Sequence, residues 1–186
     1  MKSTVTLILI ALVAILAGCG TGQEIPLTDF DKVELRSGFH VDISVGEEYS
    51  VVLKVNEDFL DDVEAVKVGD TLIIRAKPGH NLRGASLKAE VVMPALTGLA
   101  LNSGSWVTVR GSGSDVTISL KGGSHAELGN FTVENANLSA TSGSHVTVNV
   151  SGRLDVDVSG GSHVKYIGEP QIGDVGISGG STFTNR

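Results

Sequence analysis

From residue 30 onward, apolar and polar residues alternate with a period of two, in short runs broken by Gly, Ser, Asn or Asp. Alternation of that period puts one set of side chains on each face of a β-strand. Residues 30–36, 39–45 and 49–56 follow it. Residues 63–68 and 71–76, joined through Gly69-Asp70, predict a hairpin with a two-residue turn. Residues 87–93 predict another strand, ended by Pro94. Residues 57–61 have room for one helical turn at most, and no long segment after residue 18 keeps a helical period. The pattern predicts an all-β fold.

From Asn102 the chain repeats itself. Five blocks align: Ser103-Gly104-Ser105-Trp106-Val107, Gly122-Gly123-Ser124-His125-Ala126, Ser142-Gly143-Ser144-His145-Val146, Gly160-Gly161-Ser162-His163-Val164 and Gly179-Gly180-Ser181-Thr182-Phe183. Their serines fall at 105, 124, 144, 162 and 181, so the intervals are 19, 20, 18 and 19. Second strand-like runs at 116–120, 138–141, 154–158 and 175–178 keep the same phase. A fixed period near twenty marks a repeat in which each unit buries its apolar face against its neighbours. The architecture expected is a right-handed parallel β-helix-like solenoid with ~19-residue coils, Gly-Ser corners and irregular N-terminal strands. An antiparallel β-sandwich is the alternative, since short strands every 8–12 residues suit it as well. Val107, Val109, Ala126, Leu128, Val146, Val148 and Val150 are expected inside; Trp106, Thr108, His125, Glu127, His145, Thr147 and Asn149 are expected outside. The block Ser37-Gly38-Phe39-His40-Val41 echoes the repeat, so the repeat is expected to begin there, with longer insertions.

The first eighteen residues read differently. Lys2 precedes an almost unbroken apolar run over residues 5–17, shorter than the ~20 residues a membrane span needs, and the run ends in small residues as a signal peptide does. Its end, Leu16-Ala17-Gly18-Cys19, is similar to a bacterial lipobox. That similarity implies diacylglyceryl transfer to Cys19 and cleavage before it, leaving the mature chain lipid-anchored to a membrane. Cys19 is the single cysteine, so it has no partner for an intramolecular disulfide, and a free thiol is a liability in an oxidising compartment. Two or three acyl chains give stable anchoring, as one does not. Gly20 stands where enterobacterial lipoproteins retained at the inner membrane carry aspartate, so in a Gram-negative host the outer membrane is favoured. Residues 19–27 are expected to be the lipidated cysteine and a tether, with residues 20–26 (GTGQEIP) polar and flexible.

The net charge is −7. Loss of residues 1–18 removes one lysine and no acid, giving −8, which argues against nucleic acid as a partner and against a basic lipid-binding surface. The remaining chain, about 165 residues, suits one domain. Aromatic residues are few, while glycines number 24 and prolines four, as many short strands with tight turns would have.

The stretch FDKVEL, then SGFHVDISVGEEYSVVLKVNEDFLDDVEAVKVGDTLII, then reiterated SGSxVTV units resembles the head GIN domain family of putative auto-transporter adhesins. The likeness covers nearly all of residues 28–186, the expected β domain, and rests on distributed pattern without a catalytic motif. It implies an exported protein, often a lipoprotein, rich in parallel β-structure. Many members carry Asp where this chain has His or Trp after the Gly-Ser pair, so a role for that column is peculiar to this chain.

Stacked in register, Trp106, His125, His145 and His163 would form an exposed ladder, with His40 as a candidate fifth member. Neighbouring imidazoles could share Zn²⁺ or Cu²⁺, which makes His125, His145 and His163 candidate metal ligands. The plainer reading is a row of β-compatible, hydrogen-bonding side chains, strung along a line without convergence, and no motif calls for a cofactor. Asp155 and Asp157 share one face, as glycosidase or calcium carboxylates would, yet no Arg or Lys cluster or cleft-building loop flanks them. Gly111-Ser112-Gly113-Ser114 reads as a turn, not a nucleophile elbow. The function expected is a non-enzymatic envelope module that binds a glycan or protein or serves as structure; a carbohydrate-active β-helix or a metal-binding envelope protein is the alternative. Nothing after Thr182 reads as a polar cap, so self-association through the C-terminal coil is also expected.

Overall fold

The computed structural model describes residues 22–80 and 82–186; the leader and Cys19 lie outside the described residues. Fifteen strands form: β1 (Gln23–Glu24), β2 (Lys32–Leu35), β3 (His40–Val45), β4 (Ser50–Val55), β5 (Val63–Val68), β6 (Thr71–Ala76), β7 (Leu87–Met93), β8 (Gly98–Leu101), β9 (Trp106–Leu120), β10 (His125–Ala140), β11 (His145–Val150), β12 (Arg153–Val158), β13 (His163–Ile167), β14 (Gln171–Ile177) and β15 (Thr182–Asn185). The one helical element among the described residues is a 3-10 turn at Glu57–Asp62, where a single helical turn is predicted.

All fifteen strands join one curled, open sheet of mixed strand order. Two parallel ladders run through it. One passes β7–β3–β9–β10–β11–β13–β15, the other β6–β2–β8–β9–β10–β12–β14. The first part of β10 pairs with β11 and its second part with β12, so β9 and β10 belong to both ladders. Buried apolar residues of both ladders form one cluster, from Phe30 to Val164.

The repeat blocks pair in parallel, not antiparallel as the sandwich alternative requires. A uniform stack of coils is not what the chain builds either. In the N-terminal part, β1 with β4, β4 with β7, and β5 with β6 are antiparallel. The predicted hairpin is the last of these pairs, turning at Gly69 with φ +62°. Gly111-Ser112-Gly113-Ser114 is not a turn: β9 runs straight through it. The glycines serve close approach there. Gly111, at φ +120°, lies where a Cβ would come within 2.9 Å of the Val45 side chain, and a Cβ on Gly113 would meet the Phe131 ring at 3.1 Å.

All seven positions expected inside are buried, at 2 % exposure or less. Thr147, expected outside, is only 8 % exposed, because Glu127 and Lys165 flank it on the neighbouring rungs. Gln23 and Glu24, within the stretch read as tether, are bonded into the sheet against Leu53 and Val52, and the Ile25 N–H donates to Val51 O at 2.8 Å.

The candidate binding surface

The corner before each ladder strand decides which way the strand's first side chains face. Two successive residues take positive φ, as at Ser103 (+58°) and Gly104 (+74°), and at Ser142 (+59°) and Gly143 (+73°). The next serine turns inward. Ser105, Ser124, Ser144 and Ser162 are fully buried, and their hydroxyls donate to the carbonyls of Asn102, Lys121, Thr141 and Ser159 at 2.7–2.8 Å. The corners also bond to one another. Ser144 N–H donates to Ser162 Oγ, and Ser162 N–H to Ser181 Oγ, each at 3.1 Å. With the serine inside, alternation sends the next residue out.

That outward position is in register across seven strands: Lys88, His40, Trp106, His125, His145, His163 and Thr182. Rungs of a sheet lie about 4.8 Å apart, so planar side chains on successive rungs must meet face on or tilted. Ring centroids are 5.9 Å apart for His40 and Trp106, 3.9 Å for Trp106 and His125, 6.1 Å for His125 and His145, and 4.9 Å for His145 and His163. Trp106 with His125, and His125 with His145, are stacked; the other two pairs are tilted. His163 Nδ1 and Thr182 Oγ1 close the row with a 2.7 Å hydrogen bond. His40 thus joins the column.

Trp106 is 43 % exposed, His40 and His145 are exposed, and His125 and His163 are half-buried. Burial pushes the His125 imidazole below its ordinary pKa of 6.5; Glu127 pulls it up and His145 pushes it down, each less than burial does. At neutral pH His125 is therefore uncharged, and its stack with Trp106 is a contact of two neutral rings. Such a strip turns its ring faces toward one another and presents ring edges, with imidazole nitrogens as hydrogen-bonding groups.

At its upper end the strip borders a concavity of about 240 Å³ lined by His40, Asp42, Lys54, Lys88, Glu90 and Trp106. Lys54 and Glu90 form an ion pair across it. Sequence reading missed Lys88, Lys54 and Glu90, because β7 and β4 lie outside the repeat. Their own alternation shows that they point outward, but only the registers of β4 with β7, β7 with β3 and β3 with β9 bring them to Trp106.

The imidazoles of His125, His145 and His163 stand in a row and do not converge. Among the described residues no three His, Cys, Asp or Glu side chains are placed to hold a metal ion. Asp155 and Asp157 lie on the other ladder, on β12. Asp155 is engaged by Arg153 through two bonds, Nε to Oδ2 at 2.8 Å and Nη2 to Oδ1 at 2.6 Å, and accepts the Asp174 N–H at 2.7 Å. Arg153, and then the Asp174 N–H, hold its carboxyl below the usual carboxylate range. A basic partner that the sequence reading did not assign thus occupies this acid. Asp155 borders a larger concavity of about 710 Å³, with Lys32, Asp115, Thr117, Asn135 and Asn137.

The model of a family described as putative auto-transporter adhesin, head GIN domain, matches residues 29–112 and 100–170. No curated protein matches the chain. Among solved structures, a putative adhesin from Bacteroides fragilis is similar over 89 % of this chain and 96 % of its own, with a TM-score of 0.57 at 15 % identity. That similarity shows a shared fold. A putative adhesin from Parabacteroides merdae covers 89 % and 95 % at 13 % identity, TM-score 0.45. A putative lipid binding protein from Parabacteroides distasonis covers 89 % and 96 % at 15 % identity, TM-score 0.40. The two matched stretches together span most of the sequence, and the chain belongs to the head GIN domain family of putative auto-transporter adhesins.

Proposed function

We propose that this chain is an exported, lipid-anchored, non-enzymatic binding module of the cell envelope, and that its contact face is the strip from His40 to His163. The observation that carries the reading is the register: five rings on five successive rungs, held by a backbone ladder and buried corner serines. A surface already ordered before contact loses little conformational entropy on binding. A row of ring edges and imidazole nitrogens at rung spacing suits the hydroxyl-rich, partly apolar surface of a sugar chain, so an envelope glycan is the ligand class we favour. The engagement of Asp155 by Arg153 favours a binding role over hydrolysis by Asp155 and Asp157.

The two parallel ladders support winding of residues 102–186 as coils of a right-handed parallel β-helix, since parallel crossovers are almost always right-handed. The anchor belongs to the same reading. A lipid on Cys19 would leave only Gly20, Thr21 and Gly22 before the sheet begins at Gln23, a reach of roughly 10 Å when extended. The domain would then sit against the membrane, favouring a short-range envelope role, in the outer membrane if the host is Gram-negative. A glycan array probed with residues 20–186 and with its Trp106→Ala variant tests the reading. Binding that the variant loses supports it; binding that is the same in both removes the strip as the contact face.

A further inference from the structure

Among the described residues, the rung of β14 leaves apolar side chains of the inward phase exposed. Ile172, Val175 and Ile177 on β14 pair with Leu154, Val156 and Val158, which are 3 % exposed or less, yet they are themselves 39 %, 43 % and 50 % exposed. Phe183 on β15, the partner of buried Val164, is half-buried and stacked on Tyr166 at 4.9 Å. Ile172, Val175 and Ile177 keep the inward phase, and among the described residues no further strand pairs beyond them. Among the described residues β14 pairs only with β12 and β15 only with β13, so each also has one backbone edge without a strand. Neither edge strand carries a lysine or proline within it, the residues that commonly block strand addition.

From these features we infer that this end pairs with the same end of a second copy. The match is chemical. Among the described residues, five large apolar side chains are exposed; three lie on this rung, Trp106 belongs to the strip, and Val68 stands alone. Among the described residues the surface with matching apolar content is therefore the same end of another molecule, which makes the contact two-fold and closed. Charge agrees. Residues 171–186 carry one acid, Asp174, and one base, Arg186, while the whole chain carries −7. Two acidic copies meeting end to end bring neutral segments together and keep their charged bodies apart.

The position of this end gives the pairing a use, which rests on the lipid anchor proposed above. β1 and β15 terminate the longest path of strands, eight spacings apart, roughly 38 Å. Those eight spacings are counted along the curled sheet; with the N-terminus held at a membrane, the pairing places the β14–β15 end toward a copy on an opposing surface.

Sedimentation of residues 20–186, which contain the whole described core, tests the pairing. The expected result is a dimer that dissociates on dilution. Val175→Lys/Ile177→Lys should keep a β-rich circular dichroism spectrum and have its dimer weakened at least ~10-fold, while Val68→Lys dimerises like the wild type. A monomer at every concentration, or a dimer that survives the double substitution, overturns the inference. For the opposed geometry, residues 19–186 are coupled through Cys19 to phosphatidylcholine vesicles carrying a maleimide lipid. Wild-type vesicles should cluster and double-variant vesicles should not; a dimer in solution without clustering overturns the opposed arrangement. Glycan binding by Trp106 is read separately, so failure of the pairing leaves that reading to its own test.

Discussion

The indole of Trp106 lies over the imidazole of His125, with ring centroids 3.9 Å apart and planes inclined by 24°. Their backbones are register partners on β9 and β10, nineteen residues apart. Trp106 is the only tryptophan, so its emission reports on one ring pair. A protonated imidazole in stacking contact quenches indole fluorescence, and a neutral one does so far less. Emission should fall on acidification with a midpoint below 6.5, because burial lowers the His125 pKa. His125→Gln should abolish that transition. Emission that does not change with pH through the histidine range would contradict the stack.

The same imidazole makes stability depend on pH. Its folded pKa lies below the unfolded value of 6.5, so the unfolded chain binds the proton more readily in the window below 6.5. The His125 contribution is fully present above that value and is lost as pH falls from it to the folded pKa. Urea midpoints measured at several pH values should drop through this window. In His125→Gln the slope should be shallower; an unchanged slope would place the dependence on other groups.

The buried corner serines should not be equivalent. Ser105 donates to Asn102 O, and its loss to alanine should cost about 0.5–1.5 kcal/mol. Ser162 donates to Ser159 O and also accepts the N–H of buried Ser144. Ser162→Ala would leave that donor without its partner, and should cost about 1–3 kcal/mol. Equilibrium unfolding of both variants gives the order directly, and an equal or reversed cost would contradict the inter-rung bond.

Asp155 accepts the Asp174 N–H from the terminal strand β14. Asp155→Ala should speed amide hydrogen exchange at Asp174 and its β14 neighbours while sparing β10, without abolishing folding. Its carboxyl pKa is lowered from 3.8, so the contact's contribution is present above 3.8 and fades as pH falls through the folded value. Unaltered exchange along β14 would contradict the role.

The anchor has its own outcome. In cells, the wild-type chain should partition with membranes and incorporate labelled palmitate, and Cys19→Ser should do neither. Palmitate incorporation that survives the substitution would remove Cys19 as the lipid site.

Much of this arrangement was legible because a strand's alternation encodes its faces. Val107 to Val150 are buried as their phase requires, and the 19-residue spacing of Trp106 and His125 proved to be their pairing. What alternation cannot encode is the partner of a strand that does not repeat. Lys88 and Glu90 on β7 give no local sign that β3 will lie beside them, and the antiparallel pairings of β1 with β4 and of β4 with β7 were equally hidden. Gly111 to Ser114 misled for a related reason. Glycine and serine read as a turn, whereas here the glycines let β9 pass close to Val45 and make room for Phe131. Thr147 was placed on the correct face, and its burial comes from Glu127 and Lys165, set beside it by pairing across rungs.

The central claim is that the strip from His40 to His163 is where a ligand lands. It is tested most directly by titrating the strongest glycan from the array into residues 20–186 while following Trp106 emission. Calorimetry of wild type and His145→Ala completes the test. The account predicts a saturable emission change and binding weakened at least ~10-fold in the variant. Binding that leaves Trp106 emission unchanged and His145→Ala at wild-type affinity would contradict it.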